Sequence, residues 1–234
     1  MNKTLVKICG FMREEDVEAA VHLGVDIIGF VVDYPVEVPW NLDRERAKKL
    51  IGFFKKCRLR YSSGSKCCIV SGGSSEKLIE LSKELEVDYL QMHYKEDAEA
   101  VKLVSAALHR AGIKLIKTVP GNTDELLRQS GKEKTAECAA VFENMGADIL
   151  LVDSRGPENA ASQGIIFDDK LYEDVRKAVN IPVMLAGGIT ADNVASLLES
   201  IRPDMIDLMT GVEESPGVKS RRKLEEFMRN TATC

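Results

Sequence analysis

The sequence predicts an α/β fold, a (β/α)8 TIM barrel whose eight parallel strands form a closed sheet. Three observations predict it. Short β-branched runs are followed, again and again, by longer stretches with helical spacing. That alternation implies a parallel sheet with helices outside. It occurs eight times, which favours a closed barrel over an open sheet. The 234 residues fit one such barrel over 1–234 without remainder.

Strands are expected at 4–9, 26–32, 66–71, 87–92, 113–118, 148–153, 181–186 and 204–209. Helices are expected at 13–24, 42–57, 74–85, 95–111, 123–145, 168–179, 190–200 and 217–230. Several units repeat one signature, a helix ending before a short acid-containing turn into a strand. Gly24-Val25-Asp26, Glu86-Val87-Asp88, Gly146-Ala147-Asp148 and Arg202-Pro203-Asp204 are the examples. Residues 120–146 are long for one unit and contain Gly131, so a broken helix or an extra turn is expected there.

Composition narrows the function. Apolar residues make up 44%, enough for a sizeable core, and no run is long enough to span a bilayer. The N-terminus lacks a signal-peptide pattern, so a cytoplasmic protein is expected. The net charge of -5 is spread over interleaved acids and bases, which argues against a nucleic-acid partner. The basic cluster Lys55, Lys56, Arg58 and Arg60 reads as a solvated helix end. Six cysteines (Cys9, Cys57, Cys67, Cys68, Cys138 and Cys234) form no C-x-x-C pair. They read as reduced thiols, with no metal site.

In a barrel the carboxyl ends of the strands share one face, where chemistry collects. Strand one brings Cys9 there, with a helix N-terminus nearby that favours a thiolate. Strand two leads into Asp33 to Asn41. Strand four brings Gln91 and His93, strand five Lys117 and Thr118, and strand six Asp153. Strand eight brings Asp207, Thr210 and Gly211. Asp153 ends the apolar run 148–152, where desolvation favours a protonated carboxyl suited to general acid catalysis. His93 is a third candidate, whereas His22 and His109 fall on helices and read as structural. Gly187-Gly188 after strand seven and Thr210-Gly211 after strand eight mark the usual phosphate loops of this fold. These residues imply cofactor-free proton transfer on a phosphorylated small molecule.

The same residues resemble the phosphoribosylanthranilate isomerase family of tryptophan biosynthesis, over nearly the full length. The matching pieces are Val6-Lys7-Ile8-Cys9-Gly10, Leu90-Gln91-Met92-His93, Leu150-Leu151-Val152-Asp153 and Leu185-Ala186-Gly187-Gly188-Ile189 with Asn193-Val194. The last is Asp207-Leu208-Met209-Thr210-Gly211-Val212-Glu213 with Pro216-Gly217. The resemblance implies an Amadori rearrangement with Asp153 as general acid, Cys9 as general base and no cofactor. Family members occur as monomers and homodimers.

The sequence also departs from the family. Trp40 stands where the family has an arginine for the anthranilate carboxylate, with Arg44 and Arg46 as possible substitutes. Trp40 is expected to stack on the substrate's aromatic ring. Ser71-Gly72-Gly73 replaces a more apolar run, Met209-Thr210 replaces two serines, and Ser154 to Phe167 keeps only a loose glycine-rich segment. Two alternatives stay open beside the isomerase. One is a divergent phosphate-binding barrel acting on another phosphosugar amine, and the other is a non-catalytic phosphosugar-binding protein.

Overall fold

The architecture comes from a computed structural model that describes residues 3–153 and 169–232. In chain order it begins β1 (Leu5–Ile8), α1 (Glu14–His22), β2 (Ile27–Val32), β3 (Asn41–Leu42) and α2 (Arg44–Arg60). It continues β4 (Lys66–Ser71), α3 (Ser75–Glu84), β5 (Tyr89–Met92), α4 (Ala98–His109) and β6 (Lys114–Val119). Then come α5 (Thr123–Ser130), α6 (Thr135–Asn144), β7 (Ile149–Asp153), α7 (Asp169–Ala178) and β8 (Val183–Ala186). The end is α8 (Val194–Ser200), β9 (Met205–Leu208), a 3-10 turn at Thr210–Val212, β10 (Glu213–Ser215), β11 (Val218–Lys219) and α9 (Arg221–Thr231).

Eight strands run parallel in the order β1-β9-β8-β7-β6-β5-β4-β2, and β1 pairs β2 to close the ring. The expected barrel is therefore the observed fold. Strand alternation splits its apolar residues into two sets. Val6, Ile8, Ile28, Phe30, Ile69, Leu90 and Leu150 pack outward in one large cluster with the helices. Ile27, Cys68, Ile116, Ile149, Leu151, Met184, Ala186 and Met205 form a separate cluster inside the barrel. Among the described residues no helix is long and apolar enough to cross a membrane.

The acid signature of the sequence has one structural meaning at all four places. Asp26, Asp88, Asp148 and Asp204 each precede a strand, and each accepts a backbone hydrogen bond from the neighbouring strand. The donors are Val6 N at 2.9 Å, Cys67 N at 2.8 Å, Leu115 N at 2.8 Å and Val183 N at 3.1 Å. Each carboxylate also meets a basic group: Lys3, Arg58 and Lys66, His109, and Arg176. Two residues before each aspartate the chain turns with positive φ, at Gly24, Glu86, Gly146 and Arg202. The turn reverses the helix end so that the aspartate lands beneath the sheet.

Differences from the expected elements have local causes. The long unit is two helices, α5 and α6, divided at Gly131 (φ 69°). Thr190 to Asn193 are not helical, because the Asn193 side chain folds back, accepting from Thr190 N at 2.9 Å and donating to Gly188 O at 2.9 Å. Helix α8 therefore starts at Val194. The final helix starts at Arg221, because residues from Glu213 to Lys219 form a small antiparallel hairpin around Pro216-Gly217. Strand β3 was not expected; it adds Asn41 and Leu42 to the carboxyl end of β2.

Arg202 takes a left-handed conformation (φ 53°) that glycine adopts without a Cβ clash. Arg202→Gly is expected to stabilise the fold by about 0.5–1 kcal/mol, since relief of Cβ strain outweighs the added unfolded-state entropy. A urea titration in which this variant unfolds at lower denaturant than the parent would contradict the assignment.

Candidate functional site

The cavity at the carboxyl end of the barrel is lined by residues from most of the strands. Its walls are Cys9, Val31, Tyr34, Val38, Trp40, Val70, Gln91, His93, Asp153, Asp207, Leu208 and Met209, around about 610 Å³ of empty space with its mouth included. Period-two alternation explains the membership. Gln91 lies in β5 and His93 just beyond it, Asp153 ends β7, and Asp207 lies in β9, all on the inward parity. The candidates Cys9, Asp153, Trp40, Gln91, His93 and Asp207 thus share one cavity. Lys117 does not. It is buried on the outer side of β6, donating to Gln129 Oε1 at 2.9 Å and lying 5.1 Å from the Phe142 ring centre.

Cys9 is 6% exposed and follows β1, where Gly29 on the adjacent strand leaves it room. A Cβ at Gly29 would stand 2.9 Å from Cys9 Sγ. The expectation that a helix end favours its thiolate needs correction. Helix α1 opens with Glu14, Glu15 and Asp16, which counter the positive end of its dipole. Burial pushes the Cys9 thiol up, with Asp207 acting in the same direction. The groups that pull it down are Lys7 and Lys219, together with a backbone hydrogen bond from Gly10.

Both lysines are buried. Lys7 Nζ donates to Asp207 Oδ2 at 2.7 Å inside the barrel. Burial opposes the charge of Lys7, but Asp207, Cys9 and Cys68 outweigh it and hold the lysine above its ordinary range. Lys219 Nζ donates to Cys9 O at 2.6 Å, Glu213 Oε1 at 2.8 Å and Met209 O at 3.2 Å. Burial lowers its affinity for a proton, and Glu213 offsets that in part.

On the other side of the cavity, Gln91 Nε2 donates to His93 Nδ1 at 3.0 Å, and Thr118 Oγ1 lies 2.7 Å from the same atom. With the amide donating, the neutral imidazole carries its proton on Nε2. Two acceptors on this lining are buried without a partner, Gln91 Oε1 and Asp207 Oδ1. Unsatisfied buried acceptors are costly, and in a cavity they suit a ligand that brings hydroxyl donors.

The glycine loops meet beside this cavity. Gly187 and Gly188 have φ of 109° and 63°. A Cβ on Gly211 would stand 2.0 Å from Ile189 O, so the loops after β8 and β9 touch at a position only glycine fits. Thr210 opens the 3-10 turn. The helix expected from residue 190 starts at Val194 instead, so the backbone behind Gly188 is loop rather than a helix end. The loop after β7, expected over 154–167, lies outside the described residues.

Trp40 faces the cavity and donates from Nε1 to Glu213 Oε1 at 2.9 Å. Arg44 and Arg46 do not substitute for an arginine there. Arg44 is held by Asp33 at 2.8 Å and Glu80 at 3.0 Å, and Arg46 donates to Met12 O at 3.1 Å. Sequence reasoning missed the roles of Lys7, Glu213 and Lys219. Lys7 carried a signal, since it shares strand parity with Cys9. Among the described residues no group of three or more His, Cys, Asp and Glu side chains could hold a metal ion.

Comparison with known proteins gives a consistent result. A family model described as N-(5'phosphoribosyl)anthranilate (PRA) isomerase matches residues 6–230. The curated N-(5'-phosphoribosyl)anthranilate isomerase of Rhodopseudomonas palustris is 31% identical, over 97% of each chain. The crystal structure of phosphoribosyl anthranilate isomerase from Thermus thermophilus superposes with a TM-score of 0.74 at 26% identity, covering 98% of this chain and 99% of that one. A further structure shares the fold at a TM-score of 0.73 and 23% identity, covering 99% of this chain and 100% of its own. It is a complex of the enzyme with reduced 1-(o-carboxyphenylamino)-1-deoxyribulose 5-phosphate. The chain belongs to the N-(5'-phosphoribosyl)anthranilate isomerase family.

Proposed function

We propose that the chain isomerises N-(5'-phosphoribosyl)anthranilate to the corresponding 1-deoxyribulose 5-phosphate, as a cytoplasmic monomer or homodimer serving tryptophan biosynthesis. The observation that carries this reading is the shared cavity of Cys9 and Asp153, beside two glycine loops that touch. The ligand class is supported by the solved relative that holds the reduced product.

Each step has a candidate group. The phosphate takes N–H groups around Gly187, Gly188, Thr210 and Gly211. The free oxygens of Gln91 and Asp207 accept from ribose hydroxyls. Asp153 gives a proton to the ring oxygen, the C1–O bond breaks, and the amine lone pair forms a C1=N iminium. Cys9 as thiolate then removes the proton from C2. The C2–H electrons become a C1=C2 bond and the iminium collapses to an enamine. Tautomerisation of this enolamine leaves the C2 ketone and a CH₂ at C1. C1 is reduced and C2 oxidised within one molecule, so electrons balance without an outside acceptor.

The aglycone meets Trp40, Tyr34, Val31, Val38, Val70 and Met209, an aromatic and apolar wall.

Cys9→Ala and Asp153→Asn are each expected to cut turnover by about 10²–10⁴-fold. Loss of anthranilate-type fluorescence from freshly made substrate reads this, and full activity in either variant would remove that residue from the chemistry.

The reactivity of Cys9 should also depend on pH in a stated direction. The thiol should lose its proton with a midpoint above that of an ordinary thiol, because burial pushes Cys9 up. Lys7 pulls the thiol down, so Lys7→Met moves the midpoint higher; Asp207 pushes it up, so Asp207→Asn moves it lower. The pH profile of Cys9 alkylation by iodoacetamide, followed on its own peptide, checks both shifts. An unmoved midpoint in Lys7→Met would mean the lysine serves the fold alone.

A further inference from the structure

Trp40 is 2% exposed and is the chain's single tryptophan. Its position in the cavity is fixed at two adjacent ring atoms. A Cβ on Gly10 would stand 3.0 Å from Trp40 Cδ1 and 2.7 Å from Met209 Sδ, so the turn after β1 clasps the ring. The indole N–H, next to Cδ1 in the ring, meets Glu213 Oε1 at 2.9 Å. An indole held at its N–H and at its neighbouring carbon loses the freedom to rotate its plane.

The acceptor is unusual for so buried a place. Glu213 is 7% exposed, and its Oε1 also accepts from Lys219 Nζ at 2.8 Å and Gly217 N at 3.3 Å. A carboxylate holds an N–H more firmly than a neutral acceptor does, and the buried lysine compensates its charge. Lys219 then reaches the main chain of Cys9 at 2.6 Å and of Met209 at 3.2 Å. One oxygen of Glu213 therefore joins the aromatic wall of the cavity to the strand end that bears the thiol. A buried carboxylate–lysine pair carries a desolvation cost that a neutral hydrogen bond would avoid.

From this we propose that Glu213 is a specificity-determining positioning residue, which sets the plane of the Trp40 indole against the aromatic ring of the substrate. The proposal rests on the arylamine phosphosugar reading given above and extends it to the residue that selects the aryl group. Glu213 touches no substrate; it acts through Trp40, and through Lys219 it keeps that wall in register with Cys9.

The test compares Trp40→Phe, Glu213→Gln and the double variant with the parent. Trp40→Phe keeps a flat ring and the buried ion pair while removing the N–H. Each single variant should raise KM by about three- to tenfold, the worth of one aromatic contact or hydrogen bond, with kcat nearly unchanged. The double variant should be no worse than the poorer single one, because both break the same link. Calorimetry with reduced 1-(o-carboxyphenylamino)-1-deoxyribulose 5-phosphate and with D-ribulose 5-phosphate reads the same effect without turnover. Affinity should fall for the aryl ligand and hold for the sugar phosphate.

Equal weakening of both ligands, additive effects in the double variant, or a fall in kcat at constant KM would each overturn the proposal. If Glu213→Gln fails to fold, Glu213→Asp, which keeps the buried charge but draws the carboxylate back from the indole, decides through the same discrimination between the two ligands. Failure of the isomerase reading is a separate signal: the parent protein would then bind D-ribulose 5-phosphate yet turn over no phosphoribosylanthranilate.

Discussion

Lys7 and Asp207 face each other where the first and last strands of the barrel pair. They are register partners of β1 and β9, and their side chains meet at 2.7 Å in the interior. Much follows from that pair. Because side chains alternate along a strand, a slip of one residue would turn Lys7 outward, Cys9 with it, and strand an unpaired Asp207 inside. Removing one partner of a buried pair typically costs about 3–5 kcal/mol, far more than any competing register could recover. The pair therefore works as a registration device at the place where a closed sheet most needs one. It also sets the field in which Cys9 sits, since one partner lowers the thiol and the other raises it.

That field shows how the site and the fold oppose each other. Burial pushes the Cys9 thiol up, while the base proposed for it acts as the thiolate. Two buried lysines stand near it, and each has its own carboxylate, Asp207 for Lys7 and Glu213 for Lys219. A lone buried ammonium would be too costly, whereas a paired one still leaves a residual field at the thiol. Unpartnered oxygens on Gln91 and Asp207 add a second cost. Both costs fall on one face of the barrel. On the opposite face the four aspartates beneath the sheet each hold a strand N–H and a basic group. Stability and chemistry are thus divided between the two ends.

How much of this could be read from the chain depends on the range of the interaction involved. The eight strands were legible because β-branched runs and helical spacing are local, and the break at Gly131 because one glycine ends a helix. The four acid turns were visible as a repeat, though the backbone donors they serve lie on neighbouring strands. Cys9, Asp153, Gln91, His93 and Asp207 could be placed together once a barrel was assumed, since strand parity does the rest. Other features depended on long-range contacts. Lys117 looked like a site residue by position, but its parity sends it into the helix layer. The indole of Trp40 meets Glu213, which lies far along the chain, so nothing near either residue announces the bond. The short strand β3 and the hairpin at 213–219 are too small for periodicity to register.

The replacement of an arginine by Trp40 fits this division of labour. The residues proposed to hold phosphate and move protons come from β1, β7, β8 and β9 and the turns after them. Trp40 comes from the connection after β2, which carries only the aglycone wall. Its ring is nevertheless not independent of the rest, because Glu213 and Lys219 tie it to the β1 turn. A side chain at position 40 must therefore satisfy Glu213 as well as line the cavity. An indole does so with its single N–H, presenting an apolar face to the ligand at the same time. Arginine, with several donors, would meet Glu213 and still have others for a carboxylate. In this chain the position thus presents a shaped aromatic surface while the buried ion pair stays bonded.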